Sequence, residues 1–422
     1  MMGRRDVLGG LGATAAAPSA LTGKASPLFA RVAALCDRLV AQKRLPGAAV
    51  QVSLGGEVAL QHVAGWADVE SGRPLAEDSL YRLFSMTKPV VAVALMMLYE
   101  DGRLLLTDPV ADYVPEFANL RVHVAGQGAE LETAPAQPMR LIHLLTHTSG
   151  LTNSWNGTPM SPLYSQAGLA AASWARDPGI EGLADYCARL GRIPLEFQPG
   201  SRWLYSIGPD VLGLVVERVS GQRFGDFLHE RLFAPLGMAD TGFFVRPDSA
   251  ARLTTLYGRG ASGLVALETG ARSPYLAAPI ADSGASGLVS SLPDYGRFAR
   301  MLAGGGRAEG VRILSPAGAR LMMSDQVAPE IAAPGLARHA AFGLGGVGSG
   351  MGFGLLGAVV TDVGRSHEEG VVGEYSWGGA ASTTFWAAPS RDLAVVFMTQ
   401  LSPSGTYPLR DWLKAAVYSE LD

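Results

Sequence analysis

Apolar and polar positions follow three regimes along this chain. In "LFARVAALCDRLVAQKRL" (28–45), Leu28, Val32, Leu35, Cys36, Leu39 and Val40 recur at helical spacing until Pro46-Gly47 interrupts them, which predicts an amphipathic helix. Two apolar runs then meet across Gly55-Gly56 in "AAVQVSLGGEVALQHVAGWAD", a hairpin pattern. Toward the other end, 354–363, 374–386 and 392–400 read as three further strands, the last two joined by the turn "AAPSR", and "PLRDWLKAAVYSEL" reads as a closing helix. Short turns between successive strands imply antiparallel pairing, so the two ends of the chain are predicted to build one sheet covered by the terminal helices. The middle differs: "MRLIHLLTHTSG", "GIEGLADYCARLG", "GPDVLGLVVERVSG" and "LPDYGRFARMLAGG" are helical patterns between Gly- and Pro-rich connections. The stretches 152–180 and 255–282 show little periodicity and predict long loops.

This pattern describes an α+β chain with a sheet lobe from about 26–103 and 301–422 and a mostly helical lobe from about 104–300. With 422 residues, 48% of them apolar, one large domain over 26–422 can bury a sizeable core. A net charge of −4 and a charged fraction of 17% leave no basic surface excess, which counts against a nucleic-acid partner and favours a small neutral ligand. Cys36 and Cys187 lie far apart on helical patterns, so each reads as a buried thiol, with a single bridge between them left open. In residues 1–25, Arg4-Arg5 precedes a weakly apolar Gly/Ala run, the form of a twin-arginine export signal cleaved between Ala15 and Ala25. That predicts a periplasmic or secreted protein; if the Arg pair is a chance feature, the protein is cytoplasmic. No stretch approaches the apolar length needed to span a bilayer.

The candidate chemistry sits in "LFSMTKPVVAVALMMLYEDG" (83–102). Only four of the 34 basic residues are lysine, and one of them, Lys88, heads a helix that is otherwise apolar all round and so must be buried on every side. Ser85 reads as its N-cap, with the helix running from Met86 to the Gly102 stop and Pro89 tolerated in the first turn. Residues three apart share a helix face, so Lys88 can reach the Ser85 hydroxyl. A desolvated lysine can lose its proton and act as a base, which an arginine cannot. A serine at a helix N-terminus also gains from free N–H groups that favour developing negative charge.

With these residues in view, the chain resembles the serine beta-lactamase and penicillin-binding-protein superfamily, and within it the class C-like branch of family VIII carboxylesterases. "SMTK" matches Ser-x-x-Lys, and "LLTHTSGL" (144–151) is similar to the segment that follows it. "WLYSIGPDVLG" (203–213) is similar to the Tyr-bearing second motif, while "GASGLVSSLPDYGRFARML" and "YSWGGAASTTFW" resemble the later ones. The resemblance implies a beta-lactamase/transpeptidase-like fold, an antiparallel sheet flanked by helices plus a helical lobe, with the serine at their junction. It implies Ser85 as nucleophile, Lys88 as its partner, Tyr205 as the base that relays the proton, and Trp377-Gly378-Gly379 as the third motif. The oxyanion hole would be the N–H groups of Ser85 and Ala380. No cofactor and no metal are implied.

Two departures set the expected substrate. Beta-lactamases carry Asn two places after the catalytic Tyr and a Lys-Thr-Gly third motif; this chain has Ile207 and Trp377-Gly378-Gly379. Apolar replacements leave the amide and carboxylate of a lactam without partners, so ester hydrolysis through an acyl-enzyme on a small-molecule ester or acyl substrate is favoured. A beta-lactamase, a D-alanyl-D-alanine carboxypeptidase or transpeptidase, an acyltransferase, and a penicillin-recognising domain without turnover remain open, as does oligomeric state. No serine has the Gly-x-Ser-x-Gly flanks of an alpha/beta hydrolase. His143 and His147 have metal-ligand spacing, but Leu144 stands where His-Glu-x-x-His needs Glu, which favours a structural role. "FGLGGVGSGMGFG" (342–354) reads as a turn entering a strand. Trp155, Tyr164 and Trp174 are candidates for either the acyl pocket or the core.

Overall fold

The computed structural model describes residues 28–170, 174–331 and 350–421. The expected signal segment and most of the glycine-rich stretch 342–354 lie outside the described residues. The main sheet is built from β1 (Gly47–Leu54), β2 (Glu57–Asp68), β3 (Arg73–Pro74), β4 (Met351–Phe353), β5 (Ala358–Val360), β6 (Tyr375–Gly378), β7 (Thr384–Ala388) and β8 (Leu393–Met398). Their order is β4-β5-β6-β7-β8-β1-β2-β3, antiparallel throughout. The two ends of the chain meet at β1 and β8, where Val50 pairs with Phe397 and Val52 with Val395.

Period-two alternation divides these central strands between two cores. Val50, Val52, Val395 and Phe397 pack with Val32 and Leu35 of α1 (Ala30–Ala41) and with Leu413 and Val417 of the C-terminal helix Leu409–Tyr418. Ala49, Val396 and Met398 enter the opposite core with Tyr295 and Phe298 of the helix Leu292–Ala303. Burial on both faces explains why β8 reads as a nearly unbroken apolar run, and each fully buried Val, Leu or Phe contributes roughly 1.5–3 kcal/mol. The opposite core continues into the helical region through α2 (Thr87–Glu100), buried at every position from Thr87 to Leu98, and α3 (Gly208–Ser220). Cys36 and Cys187 occupy the two separate cores as free, buried thiols, so no bridge joins them.

Several segments depart from the pattern-based expectation: 354–363 holds a strand only at Ala358–Val360, after a turn with Leu356 at φ 56°, and 152–180 contains a helix at Ser161–Gln166. Residues 374–386 are not one strand: β6 ends at Gly378, the Gly379 N–H donates to Thr383 O at 2.8 Å, and Ser382 takes φ 63° before β7 begins. The small residues of "GGAAS" carry no alternation that could have marked this turn. The stretch 255–282 is not only loop, since Leu256–Gly260 and Gly263–Glu268 form a hairpin whose first strand pairs in parallel with Leu401–Ser402. Val265 and Leu267 face solvent, 47% and 59% exposed. Apolar residues on both faces erase the period-two signal there.

Candidate active site

Ser85 is presented by a strained turn. The short strand Leu80–Arg82 is followed by Phe84 in the left-handed region at φ 47° and by a 3-10 turn over Phe84–Met86, and only then does α2 begin, at Thr87. A non-glycine residue there costs of order 1–3 kcal/mol and persists only where its surroundings hold it. The surroundings are specific. The Gln400 side chain clamps the Arg82 backbone, accepting from its N–H and donating to its carbonyl, both at 3.2 Å, while the buried Arg82 guanidinium donates to Glu268 Oε1 and Thr254 O at 2.7 Å. A Cβ on Gly379 would lie 2.2 Å from Leu83 O, so the end of β6 touches the turn so closely that only glycine fits. Ser85 therefore does not cap the helix: Met86 holds the cap position without a side-chain bond. The serine hydroxyl is left to other partners.

Those partners are Tyr205 and Lys88. Ser85 Oγ lies 2.6 Å from Tyr205 Oη, and Lys88 Nζ donates to Ser85 Oγ at 3.2 Å and to Ala285 O at 2.6 Å. Lys88 is one turn along from Ser85 and only 2% exposed. Its ammonium also stands 4.7 Å from the centroid of the Tyr205 ring, close enough for a cation–π attraction. Tyr205 is fixed from several sides. Its ring meets His147 at 4.8 Å, Trp155 at 5.8 Å and Trp377 at 6.0 Å between centroids, and its carbonyl accepts from Asn156 Nδ2 at 2.7 Å. Its position, just before the N-terminus of α3, places the hydroxyl over the start of α2.

A cleft of about 250 Å³ opens onto these atoms, walled by Phe84, Trp155, Trp174, Ile207 and Trp377. Gly378, Gly379 and Ala380 line it from the end of β6. The Ala380 N–H donates to no acceptor among the described residues, in contrast to those of Gly379 and Ser382, which bond to Thr383 O and Gly379 O. Ser85, Lys88, Tyr205 and the Trp377–Ala380 segment are thus brought to one cleft. Trp155 and Trp174 also reach it, while Tyr164 lies in the core, its hydroxyl accepting from the Thr152 N–H at 3.0 Å. His143 and His147 serve different neighbours: His143 Nδ1 accepts from the Arg140 N–H at 3.1 Å, and the fully buried His147 places Nδ1 3.2 Å from Ser206 Oγ.

Asp210 was not marked by the sequence. It is wholly buried in the first turn of α3 and lines the cleft, with Oδ1 accepting from Ser283 Oγ at 2.8 Å and from the Ala285 N–H at 2.9 Å. Burial pushes its carboxyl above the usual range, against the opposing pull of those donors and of Lys88. An acidic residue in a first helical turn, after Pro209, is ordinary in a sequence; only the fold reveals what it faces.

The profile of the family described as Beta-lactamase matches residues 32–419. The chain is 36% identical over 343 residues to an uncharacterized protein of Mycobacterium tuberculosis, covering 80% of this chain and 82% of that one. It is 33% identical over 411 residues to esterase EstB of Burkholderia gladioli, covering 95% and 98%. Among solved structures it is similar to EstCE1, described as a hydrolase with promiscuous acyltransferase activity, at 27% identity and a TM-score of 0.75 over 92% of this chain and 97% of that one.

Proposed function

We propose that this chain, which belongs to the beta-lactamase family, hydrolyses carboxylic esters through a covalent acyl-enzyme on Ser85. The observation that carries the reading is the 2.6 Å contact between Ser85 Oγ and Tyr205 Oη with Lys88 Nζ at 3.2 Å from the same oxygen, because it gives the nucleophile a proton acceptor and a cation in one place. Similarity to esterase EstB over nearly the full length of both chains supports the same chemistry.

Ser85 Oγ attacks the ester carbonyl as its proton passes to the Tyr205–Lys88 unit. The carbonyl oxygen, now negative, is met by the N–H groups of Ser85 and Ala380. Collapse expels the alcohol, which takes the proton back, and a water activated by the same unit then releases the acid and frees the serine. The cleft favours an ester over a lactam. Its walls are largely apolar, Ile207 and Trp377 among them, with only a few polar side chains such as Ser286 and Ser404, so each polar group of a lactam's amide and carboxylate left unmet there would cost about 1–3 kcal/mol.

The test is a parallel assay of p-nitrophenyl acetate, butyrate and octanoate against nitrocefin. The reading predicts turnover of the short esters with kcat/KM well above that for nitrocefin; the reverse order would replace it with a lactamase or peptidase. Acyl transfer to an added alcohol is expected alongside hydrolysis, because deacylation needs only a nucleophile that fits. The reading also includes export through Arg4-Arg5. Replacing both by lysine is expected to leave precursor in the cytoplasm, since a twin-arginine receptor reads the pair and not merely its charge, and normal processing of that variant would discard this part.

A further inference from the structure

Lys88 does not hold its place by contact with Ser85 alone. Its shorter bond, 2.6 Å, goes to the carbonyl of Ala285, which lies in no regular element. A loop carbonyl that sets the position of a reacting amine must itself be fixed, and one side chain does this. Asp210 Oδ1 accepts from the Ala285 N–H at 2.9 Å and from the Ser283 hydroxyl at 2.8 Å, so a single buried oxygen holds the loop at both ends of the tripeptide Ser283–Ala285. Between them, a Cβ on Gly284 would lie 2.3 Å from Pro209 O, so the loop is pressed onto the backbone just before Asp210. The chain of contacts runs from α3, through Asp210 and Ala285, to Lys88 on α2.

We propose that Asp210 is a positioning residue for Lys88, acting through Ala285, and that its hydrogen-bond acceptor is what the reaction requires. This rests on the reading of Ser85 and Lys88 as the reacting pair. Without the acceptor, the Ala285 N–H and Ser283 hydroxyl lose their buried partner and the loop relaxes. Lys88 then shifts relative to Ser85, while the aromatic walls at Trp155 and Trp377, which stand on other segments, stay in place. The effect falls on kcat and on the rate of acylation, not on KM.

The experiment compares Asp210→Asn with Asp210→Leu, which share a branched side-chain skeleton and differ in whether an acceptor oxygen remains. Folding is checked by circular dichroism and thermal unfolding. Two quantities are read: kcat and KM for p-nitrophenyl butyrate, and the rate constant for acylation by a fluorophosphonate probe, counted per labelled molecule. Asn is expected to keep both rates within about fivefold of wild type, and Leu to lower both by about 10- to 100-fold with KM within threefold. A folded Leu variant with wild-type rates, or one whose loss lies in KM, would overturn the proposal. If Leu does not fold, the Asn variant decides by itself: a fall of more than tenfold in kcat overturns the acceptor role, and retention supports it. Failure of the wild type to label at Ser85 would instead sink the reading of the reacting pair, which keeps the two failures apart.

Discussion

Replacing Tyr205 by Phe removes one atom from the site and nothing else. The ring keeps its neighbours His147, Trp155 and Trp377 at 4.8, 5.8 and 6.0 Å, and the main-chain carbonyl keeps its bond from Asn156. The lost atom is the oxygen 2.6 Å from Ser85 Oγ. If that oxygen carries the proton between nucleophile and leaving group, its removal costs what positioned acid–base catalysis supplies, roughly 100- to 10,000-fold in kcat. At 1.36 kcal/mol per decade this is about 2.7–5.4 kcal/mol of transition-state stabilisation. Stability should change by about 1 kcal/mol, because the packing survives and the hydrogen bond to Ser85 is given up. KM should stay within about threefold, since the walls of the cleft are untouched. The assay is steady-state hydrolysis of p-nitrophenyl butyrate with thermal unfolding of the same preparation. A folded variant with kcat within tenfold of wild type would refute the relay role, and Lys88 alone would then have to act on Ser85.

Other predictions follow from the same geometry. Lys88→Arg keeps a cation but not one that can give up its proton, and is expected to lower kcat by more than about 1,000-fold; activity within tenfold would show that only charge is needed. Gly379→Ala would place a Cβ 2.2 Å from Leu83 O and 2.4 Å from Thr383 Oγ1. It is expected to destabilise by about 1–3 kcal/mol and to abolish most ester turnover by displacing the Ser85 turn, so an unchanged melting temperature would contradict the packing described. Burial, and secondarily Arg140, pushes His143 down to about 4. Between that value and the ordinary value near 6.5 the unfolded chain binds the extra proton and the folded chain does not. Stability is therefore full above about pH 6.5 and falls as pH drops toward 4, by roughly 1–2 kcal/mol given partial contact with solvent. His143→Gln should flatten the urea midpoint over that window, and an unaltered slope would assign the pH dependence to other groups.

How much of this was legible in sequence depended on whether the signal was local. Ser85 and Lys88 are three residues apart on one turn, so spacing and the scarcity of lysine were enough to pair them. The helix start was misread, because Phe84 at φ 47° inserts a 3-10 turn that propensity does not foresee. Tyr205 sits 120 residues from Ser85, and no periodicity connects them; resemblance to a family pointed to it where pattern could not. Asp210, Asn156 and Ala285 were invisible for the same reason, since their contacts are made across the fold by residue types that are commonplace at a helix start or in a loop. The central strand β8 was clear because both its faces are apolar, and β1 because the Gly55-Gly56 turn follows its apolar run. The Leu256–Glu268 hairpin was not, because its apolar residues face solvent as well as core and its pairing partner is Leu401–Ser402, far along the chain.

The chemistry proposed for the cleft stands on Ser85 carrying the acyl group. Its most direct test is the hydrolysis of p-nitrophenyl butyrate by Ser85→Ala, in a preparation shown to be folded and free of wild-type enzyme. Removing one oxygen from a partly buried turn leaves the cleft and the contact between Lys88 and Ala285 in place, so substrate can still bind. Turnover is expected to fall to the rate of the buffer. A folded Ser85→Ala that keeps more than a few per cent of wild-type activity would contradict it, and the nucleophile would have to be sought elsewhere.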